Sequence, residues 1–170
     1  YEEGSHARFG KKLADVDRVP KYWPDNATVR GDMLDYAVEV EHLDTQLGKV
    51  LAQQESRGEL DRTLIIVTSD NGMPFPRVKG STYENANHLP FAIRWPAGIA
   101  RPGRKVSDYV GFADLAPTFL EAAGLTWEKS GLLPASGRSL FDIFKSDGAQ
   151  SLPGRDFTLI GRERNDLGRP

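Results

Sequence analysis

From about Thr28 to Arg57, apolar residues recur every three or four positions. Met33, Tyr36, Ala37, Val40, Leu43, Leu47, Val50 and Leu51 fall on one stripe, which predicts a long amphipathic helix. Asp25 or Asn26 can cap its start, and Gly58 can end it. The pattern then changes. Thr63 to Thr68 is a continuous apolar, β-branched run without polar alternation, the pattern of a strand buried on both faces in a parallel sheet. Phe91 to Trp95, closed by Pro96, predicts a second strand, and Phe157 to Gly161 a third. Asp114-Leu115-Ala116-Pro117 opens a further helix that Gly124 can stop. Ser139 to Lys145 predicts a short amphipathic turn, while residues 1–25 and 126–137 read as loop. Helices alternating with strands argue for an α/β layered fold.

Composition narrows the class. The 170 residues are 39% hydrophobic and 27% charged, the balance of a globular chain. A net charge of −2 gives no electrostatic case for nucleic acid or an anionic membrane. No apolar run is long enough to span a bilayer. Cysteine is absent, so neither a disulfide nor a zinc-thiolate site can form within the chain. The first residue is Tyr1, and Arg162 to Pro170 ends inside a polar stretch; both ends read as cut, which predicts a piece of a larger protein.

Candidate chemistry gathers after the first strand. Asp70 and Asn71 set a carboxylate beside an amide carbonyl, two hard oxygen donors suited to Ca²⁺ or Mg²⁺. Open α/β sheets bind their ligands outside the carboxyl ends of strands. Taken alone, Asp-Asn-Gly is more often a plain turn. Lys79, with Arg77 before it, adds cations that can hold an oxyanion, although a single lysine is usually a solvated one. Together they describe a site for a divalent cation and an oxyanion substrate. His88 can reach the mouth of that site or pack under it. His42 reads as solvent-facing, and His6 has no visible partner. Ser69 lacks the Gly-x-Ser-x-Gly elbow of a serine nucleophile.

These residues form an ordered set. Thr68-Ser69-Asp70-Asn71-Gly72, Arg77-Val78-Lys79-Gly80, Tyr83, His88 to Trp95 and Asp114 to Phe119 closely resemble the type I sulfatases. The Met73 to Arg77 loop is most similar to the heparan N-sulfatase, or sulfamidase-like, branch. The resemblance runs from the Pro24-Asp25 segment to the C-terminus. It implies an alkaline-phosphatase-like fold with a mixed, largely parallel central sheet, and hydrolysis of sulfate esters or sulfamates, here on a sulfated sugar. Asp70 and Asn71 match one pair of the family's Ca²⁺ ligands, Mg²⁺ being the other candidate, and Lys79 matches the basic residue that contacts sulfate. Arg77, His88 and Arg164 join Lys79 as substrate-binding candidates. An earlier Asp pair belongs to the family's N-terminal part, as does the Cys or Ser of a Cys/Ser-x-Pro-x-Arg motif that becomes formylglycine; neither is expected in this chain. Residues 1–150 then form the C-terminal part of a catalytic domain and residues 151–170 the start of a C-terminal region. The chain alone is expected not to hydrolyse sulfate.

The resemblance departs at Asn165, which stands where Arg-Glu-Arg-His-Asp would place a histidine. An amide keeps the hydrogen bonds but cannot take a proton near neutral pH. A periplasmic or secreted location is implied by the family alone. Two rivals remain: a phosphodiesterase or phosphonate hydrolase of the same superfamily, and a degenerate homologue that binds sulfated glycans without catalysis.

Overall fold

The computed structural model describes residues 5–148 and 150–161. The chain divides into two compact units, one ending at Leu60 and one beginning at Asp61. In the first unit the stretch expected to be loop contains a short helix, α1 (Ser5–Arg8), and a 3₁₀ turn, Leu13–Asp15. The long helix α2 spans Ala27–Ser56. Asn26 caps it, its side-chain oxygen accepting from the Val29 N–H at 3.0 Å. Past its end, Gly58 takes a left-handed φ of 67°.

The expected stripe is only partly used. Gly31, Leu34 and Val38 are the buried residues of α2, while Val40, Leu43 and Val50 are exposed. The reason is local. The N-terminal segment packs on α2, and Val16, Val19 and Trp23 are buried, as are Leu34 and Val38. Arg30 fastens that segment: it forms a bidentate pair with Asp25 and donates to the carbonyls of Leu13 and Val16 at 3.1 and 2.9 Å. Its hydrogen bond holds the Asp25 carboxyl below its ordinary pKa. Lys11 pairs with Glu41.

The second unit is built on two strands, β1 (Ile65–Thr68) and β2 (Phe91–Arg94). They pair antiparallel, with Ile65 opposite Arg94 and Thr68 opposite Phe91. All four β1 residues are half-buried. The unbroken apolar run therefore gave the strand but neither its direction nor its depth. A four-residue run has too little pattern to carry either, because partner and cover are set by distant segments. The short helix α3 (Glu84–Asn87) lies between the strands; α4 (Leu115–Ala122) and α5 (Phe141–Lys145) follow. The expected strand at Phe157–Gly161 is absent. Phe157, Leu159 and Ile160 are exposed and have no ladder partner among the described residues, and without one a strand leaves its backbone groups unpaired.

The core of this unit is Leu140, Ile143 and Phe144, against which Phe91, Ile93 and Trp95 pack from β2 and its end. Phe91 and Ile93 are two apart and so share a face. A charged knot lies beside this core. Arg155 is only 3% exposed. Its guanidinium takes both oxygens of Asp142 at 2.9 Å, reaches Asp114 at 3.1 Å and donates to the Ser139 carbonyl at 2.8 Å. Asp114 is thus not the side-chain N-cap of α4 that the sequence suggested; its carboxylate accepts from the backbone N–H of Gly111 and Arg138 as well as from Arg155. Thr118, fully buried, donates to the Asp114 carbonyl at 2.6 Å and accepts from Leu140 N–H at 2.9 Å. Gly137 permits the approach, since a Cβ there would sit 2.1 Å from the Ala113 carbonyl oxygen.

Removing Arg155 takes the ion pair from Asp114 and the bidentate partner from Asp142, while Arg138 still faces Asp142 at 3.3 Å, so Arg155→Met is expected to cost about 3 kcal/mol in a chemical denaturation curve. Acid acts on the same knot. Burial pushes the Asp142 carboxyl up, but hydrogen bonds from Arg155 and the Ile143 N–H, with the charges of Arg155 and Arg138, outweigh it and leave the pKa below 3.8. The unfolded chain therefore binds this proton first. The stability it adds is complete above the ordinary value and lost as pH falls through the lowered one. Denaturant midpoints should drop below about pH 4, less steeply in Asp142→Asn.

Candidate functional site

Because Thr68 sits opposite Phe91, the chain from Ser69 to Pro90 is one excursion between two paired strands. A bond from Thr68 Oγ1 to the Pro90 carbonyl, 2.8 Å, closes its neck. Asp70, Asn71, Arg77, Lys79 and His88 all belong to this excursion, so the structure places five of the sequence-derived candidates on one loop. Arg164 and the departing Asn165 lie outside the described residues.

The loop folds back on itself through its backbone. Gly72 N–H donates to the Ala86 carbonyl at 3.2 Å, and Lys79 N–H donates to the Met73 carbonyl at 3.2 Å. The second bond returns the cationic segment to the residues that follow Asp70-Asn71. Val78 N–H bonds to the Phe75 carbonyl, and Ser81 Oγ to the Val78 carbonyl at 2.8 Å. Arg77 is the one non-glycine among the described residues with a left-handed φ, 64°.

Asp70 and Lys79 are exposed and Asn71 is half-buried. None of their side chains makes a hydrogen bond or ion pair among the described residues, whereas Asp25, Asp35, Asp114 and Asp142 are all engaged. Two uncommitted oxygen donors side by side fit two positions of a Ca²⁺ or Mg²⁺ shell. They do not make a whole one: no group of three or more His, Asp or Glu that could hold a metal occurs among the described residues. Ser69 is not free to attack, its hydroxyl donating to the Asn71 carbonyl.

His88 caps the end of α3. Its imidazole is exposed rather than packed, and its Nδ1 lies 2.7 Å from Glu84. His42 is exposed, as expected. His6 has a partner the sequence did not reveal, Asp35, at 2.8 Å. A cavity of about 220 Å³ lies elsewhere, lined by Leu120, Glu121, Trp127 and neighbours, and contains none of the candidates. The expectation that the chain holds no Ser-x-Pro-x-Arg stretch is corrected: Ser151-Leu152-Pro153-Gly154-Arg155 has that spacing. Here its arginine is the buried centre of the charged knot, and Ser151 is exposed.

Residues 3–125 match the Sulfatase family. The human N-sulphoglucosamine sulphohydrolase is 30% identical over 134 residues, 76% of this chain and 27% of that protein. The solved structure of a protein in complex with its substrate D-glucosamine-2-N,6-O-disulfate is similar at a TM-score of 0.62 and 27% identity, over 89% of this chain and 29% of that one. A phosphonate monoester hydrolase from Silicibacter pomeroyi gives 0.61 and 26%, over 91% and 29%. The chain thus spans little more than a quarter of the length of these proteins.

The left-handed Arg77 yields a test of the loop's backbone. Arg77→Gly and Arg77→Ala delete the same side chain, but only glycine adopts that φ freely. Urea unfolding should show the glycine variant more stable than the alanine variant by about 1 kcal/mol.

Proposed function

This chain belongs to the sulfatase family, and from that premise we propose that it supplies the metal and sulfate-holding loop of a sulfuric ester or sulfamate hydrolase acting on a sulfated sugar. The observation that carries the reading is the Ser69–Pro90 excursion, where uncommitted oxygen donors and cations share one loop. Asp70 and Asn71 would hold two positions on a Ca²⁺ ion, with Mg²⁺ as the alternative. Bound there, the ion would draw charge from the sulfuryl oxygens. Lys79 would donate to those oxygens as charge grows on them, and Arg77 and His88 would meet the rest of the anionic substrate. Arg164 is proposed as a further substrate contact. The remaining metal ligands and the attacking group, formylglycine in the family this chain resembles, come from outside the chain, which on this reading is inactive by itself. The surrounding fold is the alkaline-phosphatase-like layered sheet, to which β1 and β2 contribute an antiparallel pair, and the location is periplasmic or extracellular. A sulfated glucosamine is favoured as the substrate class by the human relative and by the glucosamine disulfate complex.

The similarity to a phosphonate monoester hydrolase supports a second reading, phosphoryl or phosphonyl transfer on the same loop. Asn71 weighs against it, because a neutral amide suits a hard cation better than zinc.

Metal analysis of the full-length protein carrying this chain separates the two. Calcium or magnesium, lost in Asp70→Ala, is expected; zinc or manganese would favour the second reading. Lys79→Ala should lower kcat for a sulfated glucosamine by about 10²–10³-fold while the metal stays bound, the usual cost of losing one preorganised donor. Steady-state kinetics beside metal content reads both.

A further inference from the structure

We infer that Val78 is the positioning residue of the loop: its buried side chain sets where Lys79 stands relative to Asp70 and Asn71. The inference rests on the reading above and adds a residue to it.

Val78 is flanked by two exposed cationic residues, yet it is 0% exposed. Its side chain lies against Gly72: a Cβ built on Gly72 would come 2.6 Å from Val78 Cγ1, 2.3 Å from the Asn85 carbonyl oxygen and 2.9 Å from Ala86 Cα. Real Cβ atoms do not approach so closely, so residue 72 must lack one. Gly72 follows Asn71 directly, and Val78 precedes Lys79 directly. The contact therefore ties the metal-side segment to the cation-side segment at one residue's remove from each. Backbone bonds brace both sides, Gly72 to Ala86 and Lys79 to Met73. The left-handed Arg77 reverses the chain just before Val78, so that the valine turns inward between two exposed neighbours. Among the described residues, the side chains of Asp70, Asn71 and Lys79 have no hydrogen bonds of their own to orient them. Their placement falls to this apolar pin, and misplacement by about 1 Å can cost about 100-fold in rate.

The test uses the full-length protein and D-glucosamine-2-N,6-O-disulfate. Val78→Ala removes two methyl groups and leaves every polar group in place. It should lower kcat/KM at least 10-fold with metal content retained, and Val78→Ile, which keeps the apolar contact, should retain most of the activity. The deciding comparison is the cycle with Lys79→Ala. If Val78 works through Lys79, adding Val78→Ala to Lys79→Ala costs no more than about twofold. An equal loss in both backgrounds, or no loss from Val78→Ala, would overturn the inference while leaving the sulfatase reading intact. Should Lys79→Ala itself leave hydrolysis unchanged, the role given to Lys79 falls and this inference with it. If Val78→Ala does not fold, Val78→Cys, which removes less apolar volume from the same contact, takes its place in the cycle.

Discussion

The antiparallel register of β1 and β2 is the constraint on which the site depends. Pairing Thr68 with Phe91 brings the two ends of a 22-residue difference in sequence, Thr68 to Pro90, within one hydrogen bond of each other. Once that neck is closed, the residues between can only form an excursion from the sheet. A hard-oxygen pair at its start and cations near its middle are then neighbours by topology, before any side-chain interaction is counted. The entropy of holding that loop is met at its base, by strand pairing, and within it, by backbone bonds.

The two clusters of charge in this unit obey opposite rules. Around Arg155 the charges are paired: two carboxylates and two carbonyls face one buried guanidinium, and removing both carboxylates would leave that guanidinium buried without a counter-charge. Its effect is to bind residues 138–142 and 155 to the start of α4 while Leu140, Ile143 and Phe144 fill the core. On the Ser69–Pro90 excursion Asp70 and Lys79 are exposed and have no ion pair among the described residues. Groups already paired to one another would have to break those pairs before meeting a ligand; Asp70, Asn71 and Lys79 carry no such debt.

Much of this was legible in the sequence, and the gaps have physical causes. Local signals held: the Asn26 cap, the end of α2 at Gly58, the Phe91 strand, and α4 with its stop at Gly124. So did the position of Asp70-Asn71 just past a strand. What failed depended on distant partners. The Thr63 to Thr68 run could not say which strand it would meet or in which direction. The stripe along α2 could not show where cover would stop. Phe157 to Ile160 looked like a strand because its residues are apolar, but a strand exists only with a partner. Asp114 read as a cap because the arginine that claims it lies 41 residues away. The His6–Asp35 pair was hidden for the same reason, spanning 29 residues.

Val78 shows how such a gap can fall inside the loop proposed to hold metal and sulfate. In the sequence it is an apolar residue between Arg77 and Lys79, and attention goes to its neighbours. Only the fold reveals that it is the buried member of the trio. The consequence is general for a loop of this kind. A ligand-binding side chain must keep its polar atoms free, so it cannot be oriented through them; the backbone it hangs from must be fixed by something else. Here that is done by dispersion contact and by the absence of a Cβ at Gly72. Apolar packing under the loop and unpaired charge above it are therefore two halves of one requirement, and the spacing between Asn71 and Lys79 is set from below.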